Sequence, residues 1–267
     1  MIALLRSAHP GPAVAVTLVA VILAIGAGLE PWRIVLLGLA MILDQLSVGW
    51  SNDAIDADRD RASGRRDKPV ALGLVSRRLV LTAALVAAGA SVLLFLPLGW
   101  AAAAAHLVFL ASAWAYNLGL KATVLSIAPY LVSFGLLPSL VTLSSTDPAM
   151  APWWATGAGA LLGAAAHVAN VLPDLADDAA TGVRGLPHRF GLTTSGVVIA
   201  ISLAVAGGLV VLGPGSPTPW GVAGLAVIVV IAVVIVARVR RPTRLLFQLI
   251  MAAALLDVVL LATSGGL

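Results

Sequence analysis

The chain has 267 residues, of which 60% are hydrophobic and only 10% are charged, and its mean hydropathy is +1.05. Soluble domains usually carry about a quarter charged residues, so this composition excludes a soluble globular protein and indicates an integral membrane protein. The net charge of +4 does not indicate nucleic-acid binding, because the bases are confined to a few loops, and the absence of cysteine excludes disulfides, thiolate metal ligands and a cysteine nucleophile.

Nine apolar segments follow one another along the chain, and each is long enough for a helix to cross the hydrocarbon core of a bilayer. They lie at 13–29, 34–51, 79–96, 100–117, 124–143, 153–173, 193–212, 220–237 and 245–263. The segments lack the period-two alternation of membrane β-strands, so the sequence predicts one all-α domain, residues 1–267, with nine transmembrane helices. No separate cleavable signal peptide is expected, because no small-residue cleavage pattern follows the first segment.

The basic residues predict how the chain is oriented. Every Lys and Arg except Arg33 precedes the first segment or falls after an even-numbered one, which places them all on the same side of the membrane. Cytoplasmic loops attract Lys and Arg. We therefore expect a multi-pass protein of the inner (plasma) membrane, with its N-terminus and these loops in the cytoplasm.

A pattern of five residues occurs twice, 118 positions apart. The first copy consists of Asn52, Asp56, Asp60, Pro69 and Gly73, and the second consists of Asn170, Asp174, Asp178, Pro187 and Gly191. Four predicted spans separate the copies, so both run in the same direction through the membrane, which predicts a parallel internal repeat. We expect the two cytoplasmic loops that carry the copies to contain short helical pieces that cap an inward-facing cavity.

Each copy predicts a polar stripe on an otherwise apolar helix, because each helical residue turns by about 100°. The first stripe contains Gln45, Asn52, Asp53, Asp56 and Asp60. The second contains His167, Asn170, Asp174, Asp177 and Asp178. Carboxylates that face one another repel unless cations lie between them. Mg²⁺ fits best, because it prefers oxygen ligands and is usually held by about one or two carboxylates together with substrate phosphates.

Four bases are expected on the same side as the acids, namely Arg65, Lys68, Lys121 and Arg184. A metal ion combined with guanidinium and ammonium groups is suited to bind a diphosphate. Because the adjoining helices are apolar, the rest of the substrate is expected to be apolar too. An isoprenyl diphosphate meets both requirements, and the bilayer is the other expected partner.

The same residues carry a family resemblance. Asn52-Asp53-x-x-Asp56-x-x-x-Asp60, followed by Arg65-x-x-Lys68-Pro69, resembles the first signature of the UbiA superfamily of intramembrane prenyltransferases. Asp174-x-x-x-Asp178, followed by Gly182-x-Arg184-x-Leu186-Pro187, resembles the second signature. Tyr116-Asn117-x-x-x-Lys121 resembles the basic turn after the fourth helix of that family.

The resemblance implies nine helices around a central cavity, and Mg²⁺-dependent transfer of an isoprenyl chain from its diphosphate to a hydrophobic or aromatic acceptor. The metal is then expected at Asp53, Asp56, Asp60, Asp174 and Asp178. The diphosphate is expected at Asn52, Arg65, Lys68, Lys121 and Arg184. The residues expected to act directly in catalysis are Asp56, Asp60, Asp174, Asp178 and Lys121, and those expected to line the cavity are Gln45, Tyr116, His167 and Asn170.

Two alternatives remain open at this point. A terpene cyclase on the same scaffold uses the same donor without an acceptor, and a cation-coupled transporter could use the same acids to bind its substrate or ion. No Lys or Arg occurs inside a predicted span, which disfavours an acceptor with a carboxylate such as 4-hydroxybenzoate. His106 is expected to pack within the bundle, whereas Asp257 is a functional candidate without an assigned role.

Overall fold

A computed structural model describes residues 1–172, 185–240 and 244–267 of the chain. Within these ranges the secondary structure is helical and contains no strand. The α-helices are α1 (Ile2–Ser7), α2 (Pro10–Gly26), α3 (Pro31–Ala62), α4 (Arg77–Phe95), α5 (Trp100–Leu118), α6 (Ala128–Leu143), α7 (Trp153–Val171), α8 (Leu186–Leu212), α9 (Pro219–Arg238) and α10 (Arg244–Thr263). Short 3₁₀ turns at Leu96–Leu98 and Leu120–Ala122 precede and follow α5.

The predicted segments coincide in position with helices α2 to α10. Five of these helices, α3, α4, α5, α8 and α9, are long and apolar enough to cross a membrane, whereas α2, α6 and most of α10 are apolar but shorter. Helix α7 has 19 residues, but His167, Asn170 and several glycines lower its hydropathy. The all-helical membrane fold is thus confirmed, and the count of nine crossings around a central cavity stays a prediction.

Local sequence signals explain where several helices begin. Helices α2, α3, α6, α8 and α9 have proline in their first turn, where its missing N–H has no partner to lose. The hydroxyl of Ser76 caps α4 by accepting a 3.2 Å hydrogen bond from the backbone N–H of Leu79. Thr218 caps α9 in the same way through Gly221, at 3.0 Å.

The helices pack side by side in chain order from α2 to α10, and α10 packs against α2, which closes the bundle. Helices α6 and α7 approach very closely, because α7 presents glycine at the contact. A Cβ on Gly159 or Gly163 would overlap the backbone carbonyl of Phe134 or Tyr130, respectively. This close approach brings Tyr130 on α6 next to the inner end of α7.

Helix α3 is much longer than a membrane crossing requires. Its 32 residues span about 48 Å at about 1.5 Å per residue, compared with a hydrocarbon core of about 30 Å. Residues 52–62 extend this helix, and residues 63–76 form turns without a helix, so the expected separate helical piece in this loop was wrong. The loop instead folds back onto α3, where the backbone N–H of Val70 donates to Asp53 Oδ2 at 3.3 Å.

The two glycines of the repeated pattern both have a positive φ. Gly73 has φ +70° and Gly191 has φ +72°, values that a Cβ disfavours, although a Cβ at either position would meet no atom within 4 Å. Backbone geometry therefore explains the choice of glycine at both positions. Asp174 and Asp178 of the second copy lie outside the described residues, so the internal repeat stays a prediction.

Candidate functional site

The acids of the first copy occupy one buried face at the inner end of α3. The exposed fractions of Asp53, Asp56 and Asp60 are 0%, 6% and 4%. Asp58 projects from the other side of the helix, is exposed and pairs with surface arginines. The helical period alone thus separates the clustered acids from the solvated one. Burying charged carboxylates is costly unless cations and hydrogen-bond donors compensate them.

Asp56 is the most highly bonded acid of this cluster. The ammonium of Lys121 lies 2.5 Å from both of its oxygens, Arg59 Nη2 lies 2.9 Å from Oδ2, and Asn52 Nδ2 donates to Oδ2 at 3.1 Å. Burial lowers the pKa of Lys121 below its ordinary value, and the Asp56 carboxylate opposes this shift. The turn after α5 therefore contributes a base directly to the acid face of α3.

Lys68 approaches the same face from the loop that follows α3. Only 6% of this residue is exposed. Its ammonium donates to Asn52 Oδ1 at 3.2 Å and lies 3.7 Å from Asp53 Oδ1 and 4.0 Å from Asp60 Oδ2. Lys68 thus lies between two acids that the sequence assigns to a metal.

Two carboxylate oxygens of the cluster remain without a hydrogen-bond partner within the described ranges. They are Asp53 Oδ1 and Asp60 Oδ2, and both are buried. Such oxygens are the ligands that Mg²⁺ prefers. No group of three acids or histidines among the described residues is close enough to hold a metal ion without further ligands. The acids of α3 therefore fit one side of a magnesium site, and ligands from another segment would have to complete it.

Arg65 lies in the same loop as Lys68 and forms a bidentate ion pair. Its Nε and Nη2 atoms bind the two oxygens of Asp67 at 2.9 and 2.8 Å. The hydrogen bond from Arg65 lowers the pKa of Asp67 to about 2. Diphosphate binding by Arg65 stays a prediction.

Three of the four residues predicted to line a cavity lie together with a tyrosine that the sequence reasoning missed. The ring of Tyr130 lies 4.8 Å from that of His167 and 5.4 Å from that of Tyr116, centre to centre. The Tyr130 hydroxyl also shares hydrogen bonds with the side chains of Asn170 and Tyr116. The fourth residue, Gln45, lies nearer the middle of α3, where its amide donates to Asp44 Oδ2 at 2.7 Å.

The second acid pattern falls largely outside the described residues, and with it Asp174, Asp177, Asp178 and Arg184. Residues before and after this segment meet at the hydroxyl of Ser126. His167 Nε2 lies 3.1 Å from Ser126 Oγ, and the backbone N–H of Leu186 donates to the same oxygen at 2.9 Å. Glycine at 185 permits this contact, since a Cβ there would lie 2.6 Å from the carbonyl oxygen of Lys121.

Residues 121–126 therefore contact both signatures. The side chain of Lys121 binds Asp56 of the first signature, and its backbone lies against Gly185, which falls within the second. Asn117 strengthens the link to α3 by donating to the Val48 carbonyl at 2.9 Å and to Ser51 Oγ at 2.8 Å. The chain thus returns from the second signature to the same end of the bundle as the first.

The sequence reasoning missed two polar residues that the structure makes prominent. His9 Nε2 lies 2.9 Å from Lys68 Nζ, and nothing in the sequence indicates this contact. Asp44 is fully buried, with its Oδ1 atom 3.2 Å from His106 Nε2. An acid and a histidine inside apolar segments are a signal that could have suggested this pair.

Asp257 lies apart from these groups, on α10. It is fully buried against α8, where a Cβ on Gly207 would lie 2.9 Å from its Oδ1 atom. Neither of its oxygens has a hydrogen-bond partner within the described ranges. Its role stays open.

Comparison with known proteins relates most of the chain to one family. Residues 13–256 match the sequence profile of the UbiA prenyltransferase family. No curated protein sequence matches the chain.

Solved structures share the fold at low sequence identity. A UbiA homolog from Archaeoglobus fulgidus bound to GPP and Mg²⁺ superposes with a TM-score of 0.73 at 15% identity, over 99% of this chain and 100% of the other. A UbiA homolog from Aeropyrum pernix K1 gives 0.69 at 17% identity, over 92% and 96%. A structure of digeranylgeranylglyceryl phosphate synthase gives 0.68 at 13% identity, over 99% and 97%.

Proposed function

Because this chain belongs to the UbiA prenyltransferase family, we propose that it transfers an isoprenyl chain from an isoprenyl diphosphate to a hydrophobic or aromatic acceptor, with the help of Mg²⁺. The A. fulgidus homolog was solved with GPP and with DMAPP, each together with Mg²⁺, which supports this class of donor. The chain is a multi-pass membrane protein. The distribution of Lys and Arg supports an active site on the cytoplasmic side of the inner (plasma) membrane.

The observation that carries the proposal is the concentration of opposite charges at one end of α3. Its three buried acids are contacted by three bases, Arg59, Lys68 and Lys121, which come from three different segments of the chain. Such a cluster can exchange its internal ion pairs for a metal ion on the acids and a diphosphate on the bases. A site for a cation alone would not need the bases.

The metal ligands are expected from both signatures. Asp56 and Asp60 on α3 would hold Mg²⁺ together with Asp174 and Asp178, and Asp53 would support them. Two observations support this assignment. Asp53 and Asp60 each have a buried oxygen without a hydrogen-bond partner among the described residues, and the chain returns beside Lys121 after the second signature's acids. When bound, Mg²⁺ supplies Lewis acidity that withdraws negative charge from a diphosphate leaving group.

The chain's own bases then bind and stabilise the leaving group. The ammonium groups of Lys121 and Lys68 would move from the acids to the diphosphate oxygens, and Asn52 would orient Lys68 as it does in this structure. The C–O bond to the isoprenyl chain breaks as negative charge gathers on the diphosphate, which these cations neutralise. The apolar bundle excludes water from the allylic cation. The acceptor then supplies the electron pair for the new bond and loses a proton, which the departed diphosphate can take up.

The direct test is Mg²⁺-dependent release of diphosphate from geranyl diphosphate by the purified protein. Asp56→Ala and Asp174→Ala should each lower the rate by about 10³-fold or more, because each removes a carboxylate that holds the charge-stabilising metal. Asp58→Ala is the matched control, since Asp58 lies on the same helix but is exposed. Full activity of Asp56→Ala, with the protein folded, would contradict the assignment.

The same assay separates the proposed transferase from the alternatives. Without an acceptor, a transferase should turn over slowly and respond to added aromatic or lipid acceptors. A hydrocarbon or terpene alcohol formed in good yield without acceptor would instead identify a cyclase. Uptake of a solute into sealed vesicles without diphosphate release would identify a transporter.

A further inference from the structure

The N-terminal segment, residues 1–9, is docked against the inner end of α3. Trp50 Nε1 donates to the backbone carbonyl of Leu4 at 2.7 Å, and Ser7 and Ala8 are buried. Gly49 makes this docking possible, because a Cβ there would overlap the Ala8 carbonyl. The segment therefore reaches the edge of the acid cluster, although it contributes no acid itself.

His9 ends this segment in a backbone conformation that is rare for a residue with a side chain. Its φ of 50° and ψ of 63° make it the one non-glycine residue with positive φ in the described ranges. A Cβ disfavours this conformation, and the proline that follows at position 10 restricts the backbone further. The chain bends here between α1 and α2, and the bend directs the imidazole toward the loop after α3.

The imidazole is one of the groups that the Lys68 ammonium contacts with its N–H donors. An ammonium has three N–H donors. One is directed to His9 Nε2 at 2.9 Å and one to Asn52 Oδ1 at 3.2 Å, and the third side faces Asp53 and Asp60 at 3.7 and 4.0 Å. Since the ammonium can only donate, His9 Nε2 must accept, which requires a neutral ring with its proton on Nδ1.

The charges around His9 agree with a neutral ring. Burial and the neighbouring Lys68 lower the pKa of His9 to about 4, with Arg65 acting in the same direction and Asp67 and Asp56 opposing them. At neutral pH the uncharged ring therefore accepts a hydrogen bond from the Lys68 ammonium and does not repel it.

We propose that His9 is a positioning residue of the diphosphate site: its neutral imidazole holds the Lys68 ammonium toward Asn52 and the acids. This inference rests on the proposed function, since the purpose of the orientation is to present Lys68 to a diphosphate. A lysine side chain is flexible and has many rotamers, so a third fixed contact lowers the entropy cost of using it. His9 itself touches no reacting atom and acts through Lys68.

The test measures binding of geranyl S-thiolodiphosphate, a donor analogue whose C–S bond resists cleavage, to the purified protein with excess Mg²⁺. Glycine tolerates positive φ, so His9→Gly should preserve the backbone bend while removing the imidazole. Its effect therefore reports the contribution of the ring alone. We expect the dissociation constant to rise about tenfold, which corresponds to one hydrogen bond to a charged group. His9→Gln, whose amide oxygen can accept from Lys68, should restore most of the affinity.

A double-mutant cycle with Lys68 distinguishes positioning from a general structural role. In a Lys68→Met background, His9→Gly should weaken binding no further, because its effect passes through the lysine. Arg6→Gln is the matched control, since it removes an exposed base from the same segment, and it should leave affinity unchanged. Equal losses from His9→Gly with and without Lys68, or no loss at all, would overturn the inference. Failure of the wild-type protein to bind the analogue would overturn the proposed function as well.

Discussion

Helix α3 buries acids at two places, and their surroundings differ. In its middle, Asp44 faces a single imidazole, that of His106 at 3.2 Å, and accepts one amide hydrogen bond. At its inner end, three acids are contacted by three bases from different segments. Burial is equally deep in both places, so burial alone does not mark a functional acid.

The two sites also differ in what holds their partners. His106 is fully buried and stacks on Phe95 at 4.1 Å, so the partner of Asp44 is fixed by the packed bundle. The bases at the inner end belong to a loop, a turn and the end of a helix, and they would leave the buried acids only in exchange for other charged partners, such as a metal ion and a diphosphate. We interpret the middle site as an interaction that stabilises the packing of α3 against α5, and the inner site as one that binds ligands.

The largest expected effect tests the inner site. Asp60→Asn should lower kcat/KM for prenyl transfer by about 10³-fold, which is about 4 kcal/mol of transition-state stabilisation, because the charge that holds the metal is lost. The protein should unfold at no lower temperature than the wild type, since Asp60 is buried and its Oδ2 atom has no hydrogen-bond partner within the described ranges, only the Lys68 ammonium at 4.0 Å. Activity is measured as diphosphate release and stability as thermal unfolding in detergent. A large loss of stability would make Asp60 a structural acid like Asp44.

The second-largest effect concerns the middle site, where substitution should lower stability but leave activity nearly unchanged. Asp44→Ala should lower the free energy of unfolding by about 3 kcal/mol, because it leaves the buried His106 and the half-buried Gln45 without their common partner. Replacing both partners, Asp44→Leu with His106→Leu, should recover most of the stability. Activity per folded molecule should change only slightly in the double variant. Loss of activity in a stable double variant would place Asp44 within the functional machinery.

The sequence predicted the acid face of α3 well, because a face depends only on helical periodicity. Asp53, Asp56 and Asp60 share it, and Asp58 does not. The helix continues through these residues because no strong breaker occurs before Gly64, which adopts a positive φ of 70°.

The contacts of the loops could not be predicted in this way. His9 and Lys68 are 59 residues apart, and Val70, in the loop that also carries Arg65, donates to Asp53 on α3 across 17 residues. The pairing of Asp44 with His106 likewise depends on how α3 and α5 align, which a hydropathy pattern does not specify. Such contacts between distant segments require the tertiary structure.

The smallest expected effect is a pH dependence of stability that arises at His9. The two histidines have different partners, since His106 lies beside the carboxylate of Asp44 and His9 lies beside the ammonium of Lys68. The pKa of His9 is lowered from 6.5 to about 4 in the folded protein. Between these two values the unfolded chain binds more protons than the folded one, so stability should rise with pH from about 4 to about 6.5 and then level off with respect to this group. His9→Gln removes this contribution, so the unfolding temperature of the wild type relative to the variant should fall as the pH is lowered through this window. Thermal unfolding of both proteins in the same detergent checks the effect. A difference that does not vary with pH would mean that His9 titrates alike in both states and that its contact with Lys68 does not keep the ring neutral.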